Sequence, residues 1–258
     1  MKTYLKYFSI HLKSQMQHKA SFFLTFLGQF LTTFGSVFAI YFLFQRFQQV
    51  RGFTLGEALL CHGVIGIGFA LSETFARGFD IFPNLLRDGR FDRILVRPQS
   101  LILQVLGAEM DFTRLGKLLQ ALLVLCYALS ACGIRWQGKS VLVLILMILS
   151  AVTVFTGLFL LYGAVSFFTI EGIEFMNVFI YGGKVFGSYP YGIYGKPILF
   201  LLTFLVPLAL AQYYPLLYLT GRERHWIYGL SPLFAGFFLI PCISLWRYGV
   251  RRYRSTGS

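Results

Sequence analysis

The chain has 258 residues, of which 57% are hydrophobic, 18% aromatic and only 13% charged, with a formal net charge of +13. A soluble domain of this size carries about twice that charged fraction, so a water-soluble fold is excluded and an all-α polytopic membrane protein is expected. The basic residues lie between apolar runs rather than on one polar face, which argues against nucleic acid and for topology-setting charge facing anionic membrane lipid.

Residues 1–20 show no secretory leader, because charges continue to Lys19 and no small-residue cleavage site follows a short apolar core. Leu5, Phe8, Leu12 and Met16 recur at helical spacing, with Lys2, Lys6, Lys13 and Lys19 spread around the rest. That pattern predicts an amphipathic helix lying in the membrane interface, its lysines reaching for phosphates; a partner-binding helix is the alternative. Residues 21–44 are a charge-free run long enough to cross a bilayer. A second span covers residues 54–76, with Glu57 and Glu73 near its ends and Gly63, Gly66 and Gly68 in its middle, where small residues allow close helix contact.

A charged, turn-bearing loop follows over residues 77–110. It carries Arg87, Asp88, Arg90, Asp92, Arg93 and Arg97 within a few turns of Gly89 and Pro98. Such a segment cannot sit in hydrocarbon and must face water. Further spans are expected at 112–133, 140–168, 197–219 and 226–247. The fourth belongs to an uncharged run, residues 140–170, longer than one crossing needs. Residues 175–196, rich in glycine and aromatics, read as interfacial, and the fifth span is broken by Pro207 and Pro215. With the N-terminus inside, seventeen of the 23 lysines and arginines fall on inner segments, as the positive-inside rule requires. Six spans, an N-terminal interfacial helix, two cytoplasmic termini and a cytoplasmic loop at 77–110 make one membrane domain over residues 1–258.

Catalytic signatures are weak. Gly133 to Ser140 fits the phosphate-loop spacing G-x-x-x-x-G-K-[ST], but that chemistry needs a preceding strand and a soluble helix, and here membrane spans flank it. His11, His18, His62 and His225 are far apart, and His62 reads as a hydrogen-bonded structural residue. Cys61, Cys126, Cys132 and Cys242 sit in apolar surroundings without metal-ligand spacing and read as small core residues. No cofactor, metal or catalytic residue is expected. Glu57, Glu73 and Asp80 could line an ion path, although their places near span ends favour capping or interfacial roles. For the charged loop, the residues alone allow either a partner-binding surface or an ordinary loop obeying charge bias.

The segment Gly89-Arg90-Phe91-Asp92-Arg93-Ile94-Leu95-Val96-Arg97-Pro98 resembles the "G-x-x-D-x-x-L-x-R-P" loop of ABC-2-type ABC transporter permeases. The proline-marked stretch from Pro207 to Gly221 is similar to the family's approach to its last span. Gly249-Val250-Arg251-Arg252-Tyr253-Arg254-Ser255-Thr256-Gly257 is similar to its C-terminal "G-x-x-x-Y-x-S-x-G". The resemblance implies a non-catalytic exporter permease in a bacterial cell membrane, forming the path with a second, identical or different permease and driven by a separate ATPase subunit. It further implies that the N-terminal helix and the loop, through Arg87, Asp88, Arg90, Phe91, Asp92, Arg93, Arg97 and Pro98, contact that ATPase, and that the cargo is amphipathic or lipid-like. A membrane-embedded enzyme or secondary carrier acting on a lipid-linked substrate is the rival reading. A carrier would be expected to show two similar halves, and none is visible.

Overall fold

The computed structural model describes residues 2–169 and 174–254, and among these the chain is helical with no strand. Glu171 and the Ser255–Ser258 end of the C-terminal motif lie outside the described residues. Helix α1 (Lys2–Gln15) passes through a 3-10 turn into α2 (Lys19–Phe47), and α3 (Leu55–Phe75) follows. Short helices α4 (Phe82–Arg87), α5 (Arg90–Leu95) and α6 (Leu101–Leu106) build the charged loop. Then come α7 (Leu115–Ala131), α8 (Gly138–Val165), α9 (Glu174–Phe186), α10 (Lys196–Phe204), α11 (Leu208–Ala211), α12 (Tyr213–Leu219), α13 (Trp226–Ala235) and α14 (Leu239–Arg252). Among the described residues five helical stretches are long and apolar enough to cross a membrane, six if α10 with α11–α12 is one broken span.

Helix α3 is the axis of the bundle. Its start is held by a capping box, with the Thr54 amide donating to Glu57 Oε2 at 2.7 Å and the Glu57 amide donating to Thr54 Oγ1 at 3.4 Å. Along its length the missing side chains of Gly63 and Gly68 admit Leu125 of α7 and Ala151 of α8, whose Cβ atoms would lie 2.8 and 2.5 Å from an added Cβ. Backbones pack closely on both sides of α3, as membrane helices do without a hydrophobic force between them. Helix α2 instead presents Phe23, Leu24, Leu31, Phe38 and Phe42 outward, a surface suited to lipid.

The bundle has two distinct ends. One, the link end, holds the α2–α3 connection, with Gly56 against the Ala131 carbonyl of α7. The other, the loop end, holds the charged loop, Phe167 after α8 and Trp246 of α14, all in ring contact. Helix α1 also joins the loop end. Its apolar face does not rest wholly on lipid: Phe8 packs on Phe112 at 4.9 Å, Tyr4 donates to the Phe75 carbonyl at 3.2 Å, and Gln15 is bonded to Met110 and Phe112. Lys6, Lys13 and Lys19 stay exposed.

The fifth apolar run departs from the expected straight crossing. Its arms, Lys196–Phe204 and Leu208–Leu219, are bent by 87°, with Pro207 between them removing a backbone donor. Both ends of this hairpin lie at the link end, where Arg51 donates to the Gly192 carbonyl at 3.3 Å and Arg222 donates to the Gly52 carbonyl at 2.7 Å. The segment before it, expected at the interface, packs along α3 instead of lying apart from the bundle. Ser188 Oγ meets His62 Nδ1 in the middle of α3 at 3.1 Å, and Gly187 packs on Ile65. Gln212 makes this depth tolerable by donating to the carbonyls of Gly187 and Tyr189, both at 3.1 Å. Lys184 therefore lies within the bundle and Lys196 at the link end, so neither joins the basic residues of the loop end. The loop end stays the more basic one.

Candidate functional site: the charged loop and the ion pairs beside it

The loop is braced from within. Gly89 takes a left-handed conformation (φ 64°, ψ 7°) that turns α4 into α5, and Gln104 Nε2 ties the far turn by donating to the Ile94 and Gln99 carbonyls. Phe91 is fully buried against Phe82 (5.0 Å), Tyr253 (5.1 Å) and Phe167 (5.6 Å). A side chain on Gly249 would collide with the Phe167 ring. The loop motif and the C-terminal motif are thus two halves of one aromatic socket.

Anchoring Phe91 inward turns the rest of the loop outward. Arg87, Asp88, Arg90, Arg93, Arg97 and Pro98 are exposed, and Asp92 is half-buried beside Tyr253. Arg90 pairs with Asp88 at 3.2 Å with both side chains about half exposed, so the pair adds little stability. Val96 is 82% exposed, an apolar tip between Arg93 and Arg97. Of the residues expected at a partner surface, Phe91 alone is out of reach; it holds the platform. Val96 and Leu95 were legible only as an apolar interruption in a charged stretch.

Next to the platform runs an ion-pair network. Glu73, 3% exposed, accepts from Lys117 at 2.7 Å and Arg114 at 3.1 Å; Arg114 also meets Asp111 at 3.0 Å, and Arg77 bridges Glu109 and Asp111 at 3.1 and 3.5 Å. Burial raises the Asp80 carboxyl, partly offset by Arg77. At the link end, Arg222 reaches Glu57 at 2.7 Å and stacks over the Phe53 ring at 4.2 Å. Glu57 and Glu73 are sixteen residues apart on one helix, about 24 Å, and each is occupied by its own cations. Each caps or clamps its own end of the bundle.

The remaining candidates are structural. Gly133 to Ser140 connects two long helices without a preceding strand. His62 is buried and bonded to Ser188; His11 meets the Gly107 carbonyl at 3.0 Å. Cys61 and Cys242 are buried, but Cys126 is exposed on α7 and is not a core residue. Among the described residues no group of three or more His, Cys, Asp or Glu could hold a metal.

A helical bundle with five or six membrane-length stretches among the described residues, a sharply bent hairpin and a charged loop defines an all-α polytopic membrane protein. The chain belongs to the ABC-2 family of transporter proteins: that family's sequence model, described as "ABC-2 family transporter protein", matches residues 30–257. It is therefore a permease component of an ABC transporter, a membrane protein of a class that is generally non-catalytic and works with an ATPase subunit. No curated protein and no solved structure matches the chain.

Proposed function

We propose that this chain is one permease of an ATP-driven exporter in a bacterial cell membrane. It pairs with a second permease, is powered by a separate ATPase bound at the loop end, and moves an amphipathic or lipid-like substrate outward. Both termini and the loop end face the cytoplasm, which the greater basic charge of that end supports.

The observation that carries this reading is the burial of Phe91 beneath an exposed, arginine-rich surface. A platform bolted through its aromatic ring to the ends of α8 and α14 would pass a push from a partner directly into the membrane helices. Helix α1, packed on Phe75 and Phe112, would ride with it.

The test uses exposed residues only. Charged pairs with a partner are worth about 2–5 kcal/mol when buried and well under about 1 when exposed. Arg93→Ala with Arg97→Ala, and separately Val96→Asp, should leave insertion and thermal stability at parental values while ATPase co-purification and transport-linked hydrolysis fall. Parental ATPase binding and transport in both variants would reduce the loop to a topology signal. In a background with the native cysteines replaced, cysteines at Gln49 and Arg224 should react with an impermeant thiol reagent from outside, and one at Arg93 should not. The reverse pattern would end the export reading.

A further inference from the structure

A cleft of about 510 Å³ opens between α2, α7 and α9 at the depth of the membrane; the charged loop does not reach it, and of the Glu73 network only Lys117 lines it. One wall is polar: Gln29, Thr32, Thr33 and Ser36 of α2. At 1.5 Å per residue these lie about 15–25 Å along the helix from Lys19, where a span facing only lipid would be apolar. The opposite wall carries Lys117 and Lys184, whose ammonium groups both address the Phe69 ring, at 5.6 and 4.9 Å.

The two lysines differ. Lys117 is neutralised by Glu73 at 2.7 Å. Lys184 has no ion pair among the described residues, and Glu73, the nearest acidic group of the network, is already shared by Lys117 and Arg114. A cation inside a bundle without a counter-ion is costly, and the face of Phe69 offsets only part of that cost. Intramembrane cations of this kind mark ligand or ion paths. Arg114 donates to the Gln29 side-chain Oε1 at 3.5 Å, so the Gln29 side-chain Nε2 is left as a further donor at the cleft. Beside the cationic wall, Val185 and Val178 of α9 are 64% and 63% exposed, an apolar surface for a chain attached to a charged head.

We propose that this cleft binds the anionic head of an amphiphile, a phosphate or carboxylate group held by Lys184 with Lys117 behind it, while its apolar chain lies along α9. The proposal rests on the permease reading and gives its substrate a charge. The Glu73 pair sets the polarity of the site: it fixes Lys117 in place and leaves Lys184 as the charge that the ligand must balance.

The test uses the full chain in phosphatidylcholine bilayers doped with phosphatidylglycerol carrying a photoreactive acyl chain. Photoreactive phosphatidylcholine is the neutral control. The anionic lipid should label α9 well above the neutral one. Lys184→Gln should cut that excess by roughly tenfold, the scale of one charged hydrogen bond, and Lys184→Arg should restore it. Lys139→Gln, on an exposed lysine at the link end, should change nothing. Competition by inorganic phosphate would assign the site to a free anion; its absence would assign it to a lipid head group, and either supports an anion site. Equal labelling by both lipids, or an unchanged excess in Lys184→Gln, overturns it. If labelling behaves as stated but no ATPase accompanies the chain, the permease partnership fails and the anion site stands.

Discussion

The ring of Phe91 meets the ring of Tyr253 edge-on, with centroids 5.1 Å apart and planes at 83°. One residue belongs to the loop after the second span and the other to the tail after the last, so their contact closes the loop end of the bundle. Edge-to-face pairs of this geometry contribute about 0.5–1.5 kcal/mol beyond their burial. Phe91→Ala should therefore cost about 3–5 kcal/mol, as emptied aromatic core sites do. A double-mutant cycle with Tyr253→Leu, read by unfolding in mixed micelles, should show coupling of the smaller size. Additive losses would mean that the two motifs are merely neighbours.

Glu73 is the buried hub of the ion-pair network, and hubs behave asymmetrically. Removing one member leaves uncompensated charge at a cost of about 3–5 kcal/mol, whereas removing both members of a pair is often nearly neutral. Glu73→Gln should be strongly destabilising. Glu73→Gln combined with Lys117→Met should recover most of that loss, because Arg114 keeps Asp111 at 3.0 Å. A double variant as unstable as the single one would show that Glu73 acts through packing instead.

Arg222 clamps the re-entrant hairpin to α3 through Glu57 and the Gly52 carbonyl while lying over Phe53. Its loss should cost about 1.5–3 kcal/mol, the range for hydrogen bonds to charged groups. Arg222→Lys should fall between parent and Arg222→Ala, since lysine keeps the charge but not the planar fork. Limited proteolysis between α12 and α13 should rise in the same order. Equal protection in all three would show that the hairpin is held by its apolar contacts alone.

Acid should act on the loop end through Asp111. Burial opposes its charge, but hydrogen bonds from Thr113 and the guanidinium groups of Arg114 and Arg77 hold the carboxyl below its ordinary value of 3.8. Because the folded-state value is the lower one, this stabilisation is complete at neutral pH and persists down to the ordinary value. It is lost as pH falls from there through the folded value. Asp111→Asn should be less stable than the parent at pH 7, with the gap closing only in that acidic window. A gap that stays constant through the window would remove Asp111 from the acid response.

Much of this protein was set by one-dimensional physics. The charge-free run of residues 21–44 had to cross hydrocarbon, the glycines of the second span had to admit neighbours, and the cluster from Arg87 to Arg97 had to face water. Each follows from transfer energy or steric size within a few turns of one helix, and such effects depend on neighbours in sequence. What decided the rest was contact between distant segments. The packing of residues 187–189 against the middle of α3 rests on Gln212 supplying donors to the Gly187 and Tyr189 carbonyls. Whether residues 197–219 crossed or turned back depended on Arg51 and Arg222 holding both ends of the hairpin at the link end. Phe91 was expected at the partner-contact surface, but Phe82, Phe167 and Tyr253 close around it. Lys184 looked like topology-setting charge until α9 carried it to the Phe69 ring. A residue's type gives the energy of burying or exposing it, but which of the two happens is set by partners that only the folded chain brings near.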